Sequence, residues 1–245
     1  RPAYAMDTTQ HHAMDSVHSA SSPFRALLEK YLADQDAYAS AAVPGNAELQ
    51  EFGVGLTDDL PALSLVQDLS MSECRLSESE GEVPILFDAL AAGVLEQLKS
   101  LDLGHNNLAT ANLTDSLSGT ALANLDTLRL HGNMIGDVDM ASLASAVARG
   151  ALANLVVLVL NSNTFGSEGM KALSSAAAGG ALASLKELHL QNNQIGEAGC
   201  TALAEALGQG GLGSLEALYV DDGPLGTEHM QLKAACHVRG VHLQC

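Results

Sequence analysis

Tryptophan is absent from this chain of 245 residues, and Phe and Tyr number four each. The large aromatic anchors common in tight interfaces are therefore scarce, and any core must be built from aliphatic side chains. Basic residues are few: 11 Lys and Arg stand against 29 Asp and Glu, a formal net charge of −18. That balance argues against binding a phosphate backbone, which needs clustered cations, and against an anionic membrane surface. It suits a basic protein partner or solubility alone. No apolar run reaches the roughly 18 residues of a membrane span. The four cysteines, Cys74, Cys200, Cys236 and Cys245, contain no C-x-x-C pair. They read as buried thiols, and spacing alone leaves a bridge between Cys236 and Cys245 open. The G-x-S-x-G, P-loop, dinucleotide-loop and H-E-x-x-H motifs are missing too. The composition, 47% hydrophobic and 16% charged, is nonetheless that of a folded protein.

What is present is a recurring phrase, Leu-x-x-Leu-x-Leu-x-x-Asn. It occurs at Leu98, Leu101, Leu103, Asn106; at Leu125, Leu128, Leu130, Asn133; at Leu155, Leu158, Leu160, Asn163; and at Leu185, Leu188, Leu190, Asn193. A weaker copy has Leu215, Leu218 and Val220, with Gly223 in the Asn position. The first leucines are 27, 30, 30 and 30 residues apart. A period of that length means stacked units, each too small to bury its own apolar face. Two irregular copies extend the array. One is Val66, Leu69, Met71, Cys74 and Leu76, with Cys in place of Asn; the other is Val238, Val241 and Leu243, a capping strand at the end. About seven strands are expected.

Within a unit, Leu101 and Leu103 alternate with Ser100 and Asp102, the period of a strand. The closing Asn satisfies backbone groups of its turn and of the adjacent unit, so Cys74, Asn106, Asn133, Asn163 and Asn193 form a structural ladder. The second half of each unit reads as a helix. Met140, Leu143 and Val147 lie between Gly136 and Gly150; Met170, Leu173 and Ala177 between Gly166 and Gly179; Cys200, Leu203 and Leu207 between Gly196 and Gly208. This spacing makes one apolar face, and glycines mark the turns. Met140, Met170, Cys200 and Met230 share one slot, which predicts a core position for Cys200. Residues 84–95 also look helical, whereas 109–121 make a poorer helix. Strand and helix repeated with one hand give a parallel sheet on one side and helices on the other. Because helices are wider than strands, the sheet is concave.

The first 60 or so residues do not fit the repeat. Residues 1–22 are a polar tail. Residues 23–63 hold a helix with the stripe Phe24, Leu27, Leu28, Tyr31 and Leu32, opened by Pro23, which is read as a cap over the first unit. Residues 64–245 are the repeat domain. The chain starts at Arg1, so it is read as a processed chain or a fragment, soluble, cytoplasmic or organellar, with no compartment specified. Its Ala- and Gly-rich style looks like a microbial or algal protein, which brings an organellar assembly subunit, such as a plastid one, into view.

These units resemble the ribonuclease-inhibitor-like leucine-rich repeat family. The likeness covers roughly 64–245 and includes the glycine-opened helix of 196–203. Cys74 agrees with that family's alternation of Asn and Cys; four consecutive Asn units depart from it. The resemblance implies a protein-binding α/β solenoid, for enzyme inhibition, innate sensing, GTPase regulation or assembly scaffolding; separately, the missing motifs lead to the expectation of no enzyme activity and no cofactor.

Nine histidines raise a metal hypothesis, but His11, His12 and His18, with Asp7 and Asp15, lack a rigid frame. His105, His131, His189, His237 and His242 are scattered. Asp221 and Asp222 beside His189 lack a dry pocket to tune them. No metal site and no catalytic residue is assigned. The outward lanes of the sheet are more informative. One is Ser70, Asp102, Arg129, Val159, His189 and Tyr219; the other is Asp68, Ser100, Thr127, Val157, Glu187 and Ala217. An apolar centre at Val157 and Val159 is rimmed by Asp102, Arg129, Glu187, His189 and Tyr219, as interface patches are. The expected function is a non-enzymatic protein–protein interaction module, a scaffolding subunit of a multi-subunit assembly, with no nucleic-acid partner. The alternative is a regulator of a partner enzyme, an inhibitor or GTPase regulator, acting through the concave face.

Overall fold

The computed structural model describes residues 66–74, 76, 82–106, 108, 122–221 and 227–244. The polar tail, the capping helix of 23–63, the weak helix of 109–121, Asp222, Gly223 and Cys245 lie outside them. The described residues form an α/β solenoid. Seven strands run β1 (Asp68–Ser70), β2 (Ser100–Asp102), β3 (Thr127–Arg129), β4 (Val157–Val159), β5 (Glu187–His189), β6 (Ala217–Tyr219) and β7 (His242–Gln244). They pair in chain order as one parallel sheet. Helices α1 (Glu82–Ala91), α2 (Asp137–Ala148), α3 (Ser167–Ala178), α4 (Glu197–Gly208) and α5 (Thr227–Arg239) alternate with them.

Each strand is three residues long and its middle residue faces the core. Leu69, Leu101, Leu128, Leu158, Leu188 and Leu218 are all 2% exposed or less, and they stack in register from strand to strand. Burying each contributes roughly 1.5–3 kcal/mol. Neighbouring α2 to α5 pack side by side. Helix axes approach to about 8–10 Å and strands to about 4.8 Å, so the stack bends and the sheet takes the inner side.

The asparagines close the turns between these layers. Asn133 Nδ2 donates to the carbonyls of Leu130 and Leu103, both at 3.0 Å. Its Oδ1 accepts from the amides of Asn106 and Leu108 at 3.0 Å. Asn106 likewise donates to Leu103 and Met71, Asn163 to Leu160 and Leu130, and Asn193 to Leu190 and Leu160. Every link therefore spans two units. Asn106, Asn133 and Asn163 are buried, at 6% exposure or less. After Asn193 the pattern changes: Asp221 receives the amides of Asn192 and Asn193.

Two further cross-unit devices carry no strong sequence signal. Asn124 and Asn154 donate to the carbonyls of Glu96 and Ala123, a second ladder where the chain re-enters the sheet. Asp137 Oδ1 accepts the amides of Gly166 and Gly169 at 2.7 and 2.8 Å. One helix thus supplies the carboxylate that caps the N-terminus of the next, where the amides are otherwise orphaned and the dipole favours a negative charge. Leu152, Leu182 and Leu212 carry φ of 61°, 59° and 53°. Such backbone is unfavourable for a bulky residue and is held because each of these leucines is buried.

Some expectations give way. Met140 and Met170 are fully buried, but Met230 is 66% exposed. Gly169 and Gly199 bring the next helix so close that an added Cβ would lie 2.9 Å from Met140 Cβ and 3.1 Å from Met170 Cβ; no such helix follows α5 among the described residues. Cys200 is half-buried and packs against the core rather than within it. Val238 belongs to α5 and is 82% exposed, so the last strand begins at His242.

Replacing Asn133 by Ala orphans two buried amides, at about 1–3 kcal/mol each. Asn193→Ala orphans none, because the Asn193 Oδ1 accepts no hydrogen bond. Urea unfolding should therefore show a loss of about 3–4 kcal/mol for Asn133→Ala and about 1–2 kcal/mol for Asn193→Ala. By the same measurement, Asp137→Ala should cost about 1–2 kcal/mol, the usual value of a lost cap.

Candidate protein-binding face

The register aligns the outward residues into two rows across the sheet. Asp102, Arg129, Val159, His189 and Tyr219 are successive partners in one. Ser100, Thr127, Val157, Glu187 and Ala217 are successive partners in the other. Val157 and Val159 are half-buried rather than open, between Thr127 and Arg129 on β3 and Glu187 and His189 on β5. Val156, just before the strand, is half-buried as well. It occupies the position that Lys186 and Glu216 hold in the following units, outside the two outward rows.

His189 and Tyr219 form one flat platform. Their rings stack 4.1 Å apart at 8°, and His189 Nε2 lies 3.5 Å from Glu187 Oε2. On the other side of the valines, Arg129 Nη1 reaches Ser100 Oγ at 3.4 Å, a weak bond at the edge of hydrogen-bond range. Asp102 stands opposite Arg129 in the register, yet its Oδ1 accepts the Gly104 amide at 2.9 Å. Toward the helix side, Lys186 pairs with Glu216 at 2.8 Å. This exposed contact raises the lysine's pKa through the hydrogen bond and charge of Glu216.

His105 and His131 are not scattered. Their rings meet edge to face, 4.8 Å apart. The sequence reverses between the two units, Gly104-His105 in one and His131-Gly132 in the next. Each ring lies over the neighbouring unit's glycine: a Cβ at Gly104 would run into the His131 ring, and one at Gly132 into His105. Reading each unit separately hides this complementarity. His237 and His242 remain exposed and apart. Among the described residues no group of three or more His, Cys, Asp or Glu could hold a metal ion. Asp221 is engaged with the loop backbone rather than with His189. No described helix is long and apolar enough to cross a membrane.

Residues 151–174 and 181–204 each match the family model described as Leucine Rich repeat. The first covers β4 and the first two turns of α3, and the second covers β5 and the first two turns of α4. No curated protein gives a significant match to the chain. Repeats of this family generally mediate protein–protein interaction.

Burial lowers the pKa of His131, partly opposed by Asp102 and reinforced by His105 and Arg129. With the folded value below the ordinary 6.5, the unfolded chain takes up a proton first as the solution is acidified. The stability tied to neutral His131 is complete above about pH 6.5 and is lost as pH falls through the folded value. Urea midpoints measured at pH 7.5 and 5.5 should differ more for the wild type than for His131→Gln, which cannot titrate.

Proposed function

We propose that this protein is a non-enzymatic scaffolding subunit of a larger assembly, and that its partner docks on the inner face of the sheet. The observation that carries this reading is the half-buried valine strip of β4, framed by Arg129 and by the stacked His189 and Tyr219. An apolar centre with a rim of Arg, His and Tyr has the composition of an interface core. Neighbouring strands hold it rigid, so little ordering cost attends binding. Of the acid–base groups on this face, His189 faces Glu187 and stacks on Tyr219, and Asp221 holds backbone amides. The thirty-residue period and the glycine-opened helices support the ribonuclease-inhibitor-like kind of repeat. The contact set is Asp102, Arg129, Val157, Val159, Glu187, His189 and Tyr219.

Gentle native purification with a mass measurement tests this. A companion at fixed ratio is expected, and it should dissociate from a Val159→Asp, Tyr219→Asp double variant, with affinity falling at least about tenfold, or roughly 1.4 kcal/mol. Retention of the companion by that variant would remove the inner face from consideration. A monomer without a stoichiometric companion would replace the scaffold by a transient regulator of an enzyme.

A further inference from the structure

We infer that the segment seated on this face presents a carboxylate to Arg129 beside an apolar side chain laid on the β4 valines. The inference rests on the docking face proposed above and names its partner's chemistry. Arg129 is the one permanent cation among the outward positions of the seven strands. It is half-buried, and among the described residues no carboxylate pairs with it. Among the described residues its one side-chain hydrogen bond is to the Ser100 hydroxyl at 3.4 Å, while the neighbouring Asp102 carboxylate is turned to the Gly104 amide. A guanidinium has five donors in a planar fork matched to a carboxylate.

Geometry ties the cation to the valines. Arg129 and Val159 are register partners on adjacent strands, about 4.8 Å apart. Any partner covering the valines also strips water from the guanidinium. Burying that charge without a strong acceptor is costly, and a two-pronged carboxylate is the acceptor that offsets it best. Aliphatic contact alone would leave the cost standing, and a Lys or Arg there would be repelled. On the opposite side, His189 already faces Glu187 and stacks on Tyr219, so that flank asks for apolar cover and not for charge.

The net charge of −18 draws basic molecules over longer distances. It is screened beyond about 10 Å at 0.1 M salt, whereas the contact at Arg129 forms at hydrogen-bond range. The local group therefore selects the residue that docks. A carboxylate and an apolar side chain about 5–7 Å apart are two residues apart in an extended segment or three to four apart on a helix.

The test is selection of a random 12-residue peptide display library on the full chain, followed by affinity measurement on variants shown by circular dichroism to be folded. Enriched peptides should carry Asp or Glu two to four positions from a large apolar residue. Their affinity should fall at least tenfold on Arg129→Gln and on Val157→Asp, fall less on Val157→Thr, and switch to Lys- or Arg-bearing sequences on Arg129→Glu. Peptides that depend on Val157 but are basic, or are indifferent to Arg129→Gln, would overturn the carboxylate assignment while leaving the docking face intact. Failure to enrich any peptide that depends on Val157 would overturn both.

Discussion

A solenoid unit of some thirty residues must turn its backbone away from a three-residue strand while staying inside a leucine core. The turn leaves amides and carbonyls with no strand partner, and they cannot reach water. The buried side-chain amide of Asn106, Asn133 or Asn163 answers this, with Nδ2 donating to carbonyls of two successive units. Because each orphaned group would cost about 1–3 kcal/mol, the amide fixes the loop, and the loop fixes where the next strand begins. Strand register, the alignment of the outward rows and the position of the valine strip all follow from that bond set.

Contacts between units, more than contacts within them, hold the array together. Asp137 caps the helix that follows its own. Arg239 reaches back to the Leu207 carbonyl at the end of the preceding helix. The histidine rings of two units each lie over the other's glycine. Stability in such a stack is a sum of nearest-neighbour terms, so a side chain's environment depends on whether a unit lies beyond it. Met140 and Met230 make the point: the same slot is sealed in one unit and open in another.

The inner face inherits its rigidity from this arrangement and its character from only a few substitutions. Most outward positions are polar or charged. At β4 the outward positions become valine, and the neighbouring strands supply a guanidinium on one side and a stacked imidazole and phenol on the other. A recognition surface is thus built on the repeat without disturbing it, because only inward positions and the ladder determine the fold.

Much of the architecture was legible in one dimension. The Leu-x-x-Leu-x-Leu-x-x-Asn phrase located β2 to β6, and its irregular copy with Cys74 located β1. The glycine-bounded apolar stripes located α2, α3 and α4. Periodicity suffices there because a strand shows its core face every second residue and a helix every third or fourth. The outward rows were legible for the same reason. Five features were not: the meeting of His105 with His131, the cap that Asp137 gives to another helix, the second ladder of Asn124 and Asn154, the engagement of Asp221 with the loop backbone, and the placing of Val238 on a helix. Each depends on which residue of the neighbouring unit lies opposite, and single-unit periodicity carries no information about that. The sequence by itself determined the unit, its inward leucines and its ladder. Tertiary stacking decided which polar groups meet, which slots are sealed, and that Arg129 stands beside the valines with a hydroxyl as its hydrogen-bond partner among the described residues, because those outcomes are set by distances between units that packing alone defines.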